Sequence, residues 1–97
     1  MFKELLLEGN INKANWEGLK NNIKKTRGFK SMRFDKLYGE DVLIIEYGNA
    51  KQAVKAKDKL MDADIELGAF GDEISSGATE VGPAIIVWLN DDALAAK

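Results

Sequence analysis

The stretch Val42-Leu43-Ile44-Ile45-Glu46-Tyr47-Gly48-Asn49-Ala50-Lys51-Gln52-Ala53 decides more of the fold than any other part of this chain. Its first six residues are apolar on both faces for most of their length, which reads as a central strand. Asn49 then opens a helix, and Gln52 three residues later completes a capping box. Beyond it, Ala50, Ala53, Val54, Ala56, Leu60 and Met61 form a small-residue stripe at helical spacing, with Lys51, Lys55, Lys57 and Lys59 largely outside it. Such a helix can sit close against a sheet.

Working back from that strand, Tyr38-Gly39-Glu40-Asp41 supplies turn residues, and 30–37 alternates Met32 and Phe34 against Arg33 and Asp35. The two runs predict a hairpin. Before it, Asn12 or Asn15 caps an amphipathic helix to about Arg27, with Trp16, Leu19 and Ile23 as its stripe, Lys20, Lys24 and Lys25 away from it, and Gly28 as its stop. Residues 2–8 alternate in part and end at Gly9-Asn10, a first strand.

Working forward, Ile65-Glu66-Leu67 reads as a short strand. Residues 68–82 are rich in Gly, Ser and acids and read as a long excursion or hairpin inserted before the last strand, Ala84 to Leu89. Asn90 caps a short terminal turn. No internal repeat, linker or low-complexity tract is visible. Strand, helix, hairpin, helix, strand is the ferredoxin-like βαββαβ order, an α+β sandwich with two helices on one face of a four-stranded antiparallel sheet. Residues 1–97 form one domain.

Composition narrows the function. Ninety-seven residues with 45% hydrophobic content bury an ordinary core. The absence of Cys removes thiolate metal sites and cysteine nucleophiles, and the absence of His removes imidazole ligands and relays, so no enzyme and no cofactor is expected. No stretch approaches the ~20 apolar residues of a membrane span, and the first residues are too short and acidic a run for a signal peptide; a cytoplasmic location is expected. The net charge of −2 conceals a balance of +5 over residues 1–60 and −7 over residues 61–97.

Against this background, Leu5-Leu6-Leu7-Glu8-Gly9-Asn10-Ile11 resembles the first-strand motif of the RNA-recognition-motif family with one added residue. Asn15 to Ile23 is similar to that family's helix-opening pattern. Ile45-Glu46-Tyr47, followed by Asn49-Ala50-Lys51-Gln52-Ala53 and Ala56, is similar to the end of its third-strand motif and the next helix. The resemblance covers about residues 4–67. It implies the ferredoxin-like fold, and in the family it implies single-stranded RNA bound by stacking bases on three sheet aromatics. Those positions are Leu6, Val42 and Ile44 here, none of them a ring, and stacking is worth ~1–3 kcal/mol per base. Glu40 stands where the third-strand motif opens on a basic residue, and Glu4, Glu8 and Glu46 share the outward face. The resemblance therefore carries the fold and not the activity. Arg27-Gly28-Phe29 with Phe34 imitates the basic-Gly-aromatic signature, but falls between the first helix and the second strand.

Among candidate sites, Asp62, Asp64, Glu66 and Glu73 imitate a calcium loop but lack the Gly at its sixth place, where Leu67 stands, so no metal is expected. Gly68-Ala-Phe-Gly71 lacks the Lys-Ser/Thr ending of a phosphate loop. Two binding surfaces remain. Leu6, Val42, Ile44, Ile86 and Trp88 make an aliphatic outer sheet face that calls for a cover: residues 68–82, the terminal turn around Leu94, a second copy or another protein, the last two being the expected occupants. Lys20, Lys24, Lys25, Arg27, Lys51 and Lys55, with Lys30 and Lys59, make a basic helical side suited to nucleic acid held without stacking. The expected function is non-catalytic binding, through the sheet face first and the basic side second.

Overall fold

The computed structural model describes residues 13–96. Helix α1 (Lys13–Lys24) leads into a hairpin of β1 (Phe29–Leu37) and β2 (Glu40–Tyr47), then helix α2 (Ala50–Met61). A 3-10 turn (Leu67–Phe70) follows, then a second hairpin, β3 (Gly71–Thr79) with β4 (Gly82–Leu89), and helix α3 (Asp91–Ala96). Among the described residues the architecture is α+β, a four-stranded antiparallel sheet with three helices.

The strand and helix starts follow local chemistry. Asn49 caps α2, its side chain accepting the Gln52 backbone N–H at 2.8 Å, and Asn90 caps α3 the same way through Ala93 N–H at 2.8 Å. The first hairpin turns at Tyr38 and Gly39, both with positive φ (54° and 79°), the pairing a two-residue turn needs to match strand twist.

One face of the sheet carries the main core. Leu43, Ile45, Tyr47, Ile85, Val87 and Leu89 from the central strands meet Trp16, Leu19 and Ile23 of α1, Ala53, Ala56 and Leu60 of α2, Leu67 and Phe70 of the 3-10 turn, and Ala93 of α3. Trp16 joins the ends of the chain: its indole N–H donates to the Ala93 carbonyl at 3.3 Å, and its ring lies 4.7 Å from that of Phe70.

Several sequence expectations change. Of the two readings of residues 68–82, the hairpin holds and the excursion does not: Gly71–Thr79 is an edge strand, paired with β4 from Gly71↔Leu89 to Thr79↔Gly82. Gly, Ser and acids have low strand propensity, so this strand is held by its ladder more than by its side chains. Ile65-Glu66-Leu67 is not a strand either, since its last residue begins the 3-10 turn. The sheet order is β1-β2-β4-β3, and β2 pairs directly with β4 from Val42↔Trp88 to Glu46↔Ala84. This order does not clearly reproduce the ferredoxin-like βαββαβ arrangement expected from the sequence. The strand expected at 2–8 itself lies outside the described residues.

The fold also contains a repeat. Each hairpin has strands of nine and eight residues, and each has a bulge after its first residue, at Phe29/Ser31 and at Gly71/Glu73, forty-two positions apart. The Gly48 N–H bonds Gly28 O at 3.0 Å, and Asn90 N–H bonds Phe70 O at 3.0 Å, again with the same offset. The two hairpins are thus related by a pseudo-twofold axis. Because Ile44 pairs with Ile86, its own equivalent, the axis runs through that pair, perpendicular to the sheet. Equivalent positions such as Phe29 and Gly71, or Glu46 and Trp88, share geometry but not chemistry, which is why the repeat is invisible in the sequence.

Candidate functional site

The outer face, away from the helices, gathers Val42, Ile44, Ala84 and Ile86 into a second apolar cluster. Alternation along β2 and β4 puts them there as a set, with Trp88 at the border. Leu6 lies outside the described residues. Val42, Ile44 and Ile86 are each at most 1% exposed within a single chain, and Trp88 is half-buried. They are therefore core within the single chain, so the face that calls for a cover is already buried without the second copy or protein partner expected as its occupant. Leu37 and Val81, at the two hairpin ends, pack against the cluster together with Trp88.

By register the turns at 38–39 and 80–81 lie at opposite ends of the β2/β4 ladder. Yet the Tyr38 hydroxyl donates to the Glu80 carboxylate at 2.7 Å, so the two hairpins curl toward each other. The Tyr38 bond holds the Glu80 carboxyl below its ordinary pKa, and the carboxylate holds the phenol above its own. Along the exposed side of the sheet, Arg33 bridges Glu46 at 2.5 Å and Asp35 at 3.2 Å, and Ser31 adds a bond to Glu46 at 3.2 Å. Glu46 is held below the usual carboxylate range, first by the Arg33 bond and then by Ser31. It is not the bare phosphate-repelling charge that its place in the strand suggests.

The basic side divides. Lys20 is paired with Glu17 at 3.1 Å, and Lys24 and Lys51 are exposed residues outside the lining of the two cavities described next. Lys25, Arg27, Lys55 and Lys59 converge instead. A cavity of about 400 Å³ at the C-terminal ends of α1 and α2 is lined by Asn22, Lys25, Thr26, Lys59, Asp62 and Asp64, among others. A second, of about 260 Å³, is lined by Thr26, Arg27, Gln52, Lys55, Ala56 and Lys59. Thr26 and Lys59 belong to both, so the two form one groove. Among the described residues, none of its four cations is drawn into an ion pair.

The groove's floor is rigid for identifiable reasons. The Thr26 hydroxyl donates to the Ile23 carbonyl, and Tyr47 in turn donates to Thr26 Oγ1 at 2.7 Å. This ties the end of α1 to the last residue of β2, and burial raises the Tyr47 phenol pKa. Gly28, at φ +85°, lets the chain turn under α2, where an added Cβ would fall 2.1 Å from Gln52 Oε1. The Gln52 side chain is thus turned to the Gly28 turn. Tyr47→Phe is expected to cost about 1 kcal/mol, because the buried Thr26 oxygen loses its donor; urea denaturation measures it, and an unchanged midpoint would show the bond to be idle.

The sequence marked the lysines and Arg27 but not Asn22 or Thr26, which carry no motif, and it marked Gln52 only as part of the α2 capping box. A third concavity, of about 360 Å³, is bordered by Glu40, Asp41, Asp72, Glu73 and Trp88. Asp41 there is paired with Lys36 at 3.2 Å. Among the described residues no three His, Cys, Asp or Glu side chains are grouped to hold a metal ion, and no helix is long and apolar enough to cross a membrane. Asp62, Asp64 and Glu66 fall in the bends after α2, whereas Glu73 lies on β3.

No family model, no curated protein and no solved structure matches this chain.

Proposed function

We propose that this domain is a non-catalytic binding module that holds the phosphate backbone of a nucleic acid along the groove between α1 and α2. The observation that carries this reading is the convergence of Lys25, Arg27, Lys55 and Lys59, free of ion pairs among the described residues, on one continuous concavity. Each cation that meets a phosphate releases condensed counterions, and this release drives sequence-independent binding. Stacking contributes nothing to it. The positions that an RNA-recognition-motif-like reading assigns to bases include Val42 and Ile44, aliphatic and buried. The protein-interface reading of Val42, Ile44, Ile86 and Trp88 needs an open face, and the first three of these are within the core of the single chain.

The test is fluorescence anisotropy with a labelled mixed-sequence single-stranded RNA at several salt concentrations. Four phosphate contacts predict that log K falls against log salt with a slope of about −3. Lys55→Glu with Lys59→Glu should lower the affinity at least about tenfold and roughly halve that slope, whereas Lys24→Glu should change little. No binding even at low salt ends the proposal, as does equal loss on Lys24→Glu.

A further inference from the structure

The hairpin ends offer an inference independent of the groove. Tyr38 and Glu80 are forty-two positions apart, the same offset that relates Phe29 to Gly71, so they are equivalents under the pseudo-twofold axis. Points related by a twofold axis can touch only on that axis. Their 2.7 Å bond therefore lies near the axis that passes through the Ile44–Ile86 pair. Leu37 and Val81 beside them both pack on that cluster, which places the two hairpin ends on the outer side.

Tyr38 is also the only non-glycine described residue with positive φ, at 54°, an uncommon conformation for a bulky side chain. Its ring is not buried to compensate, being 79% exposed. The hairpin turn sets that backbone, and the exposed side chain is held at its tip by the hydroxyl bond to Glu80. We infer that the Tyr38–Glu80 bond is a releasable strap that closes the curled hairpins over the apolar cluster of Val42, Ile44, Ala84 and Ile86. The β2/β4 ladder is the hinge. With the strap closed the cluster is shielded; with it open the hairpins splay, and the outer face becomes accessible while the helical face stays packed.

The chain contains no Cys, so a single introduced thiol is a unique reporter. Ile44→Cys places it on the outer face and Ile85→Cys on the helical face, and labelling by a thiol reagent under native conditions reads local opening at each. In the Ile44→Cys background, Tyr38→Phe or Glu80→Gln should each raise the labelling rate about threefold to tenfold, and the two together no further than the larger single effect. In the Ile85→Cys background neither should change the rate. If Ile44→Cys folds poorly, Ile86→Cys reports from the equivalent position across the axis. Unchanged labelling on the outer face, a parallel rise on both faces, or additive effects of the two substitutions would each overturn the strap.

Discussion

Ile44→Glu is expected to unfold the domain at ordinary temperature rather than to break up an oligomer. Ile44 is 1% exposed and pairs with Ile86 on the pseudo-twofold axis, so a carboxylate there has no route to water. The cation across the ladder is no rescue: Arg33 is paired in register with Ile44, but already serves Glu46 and Asp35. An unpaired buried charge either costs several kcal/mol or is neutralised by a raised pKa at similar expense. With a stability of about 5–15 kcal/mol for a domain of this kind, and a Tm that moves by roughly 4–8 °C per kcal/mol, a fall of at least about 20 °C is expected. Ile44→Val, which removes one methyl group, should cost only about 0.5–1.5 kcal/mol. Circular dichroism melts of the three chains decide the matter. A folded Ile44→Glu domain with an unchanged Tm would show that the outer face is open surface, and would restore it as an interface.

Trp16→Ala carries the second large effect, about 3–5 kcal/mol. Trp16 is 3% exposed, its ring meets Phe34 edge-on at 5.5 Å and Phe70 at 4.7 Å, and its N–H holds the Ala93 carbonyl. The substitution opens a cavity between α1 and the sheet and unfastens α3 at once. Trp16→Phe separates the two losses: it keeps most of the apolar contact and forfeits the hydrogen bond, for roughly 1 kcal/mol plus a smaller packing loss. Urea denaturation should rank the three chains in that order. Equal effects of Ala and Phe would mean that the bond to Ala93, rather than packing, is what Trp16 supplies.

Read along the chain, strong local signals became the elements they announce. The apolar run 42–47 is a central strand, Asn49 caps α2, Asn90 caps α3, and Trp16, Leu19 and Ile23 form the buried stripe of α1. These are features in which neighbours within four residues settle the conformation, through propensity, capping and periodicity. β3 reads in the sequence as either an excursion or a hairpin because, Ile74 apart, little in Gly71-Asp72-Glu73-Ile74-Ser75-Ser76-Gly77 favours a strand by itself. Its extended form comes from β4, whose free edge supplies the hydrogen bonds. The duplicated plan escaped for a related reason, since backbone register is preserved between the halves while most side chains are not.

The binding surfaces divide along the same line. The sequence by itself determined that catalysis through imidazole or thiolate is absent, that cations concentrate before residue 60 and acids after it, and that Val42, Ile44 and Ile86 share a face. Composition and a period of two suffice for that. Which cations meet was decided only by the packing of the end of α1 against α2, which selects Lys25, Arg27, Lys55 and Lys59 and leaves Lys24 and Lys51 outside. Whether the aliphatic face is open was likewise decided only by tertiary packing, which buries Val42, Ile44 and Ile86 and sets Leu37 and Val81 against them. Both depend on contacts between residues tens of positions apart, and no local pattern encodes the angle at which two elements come together.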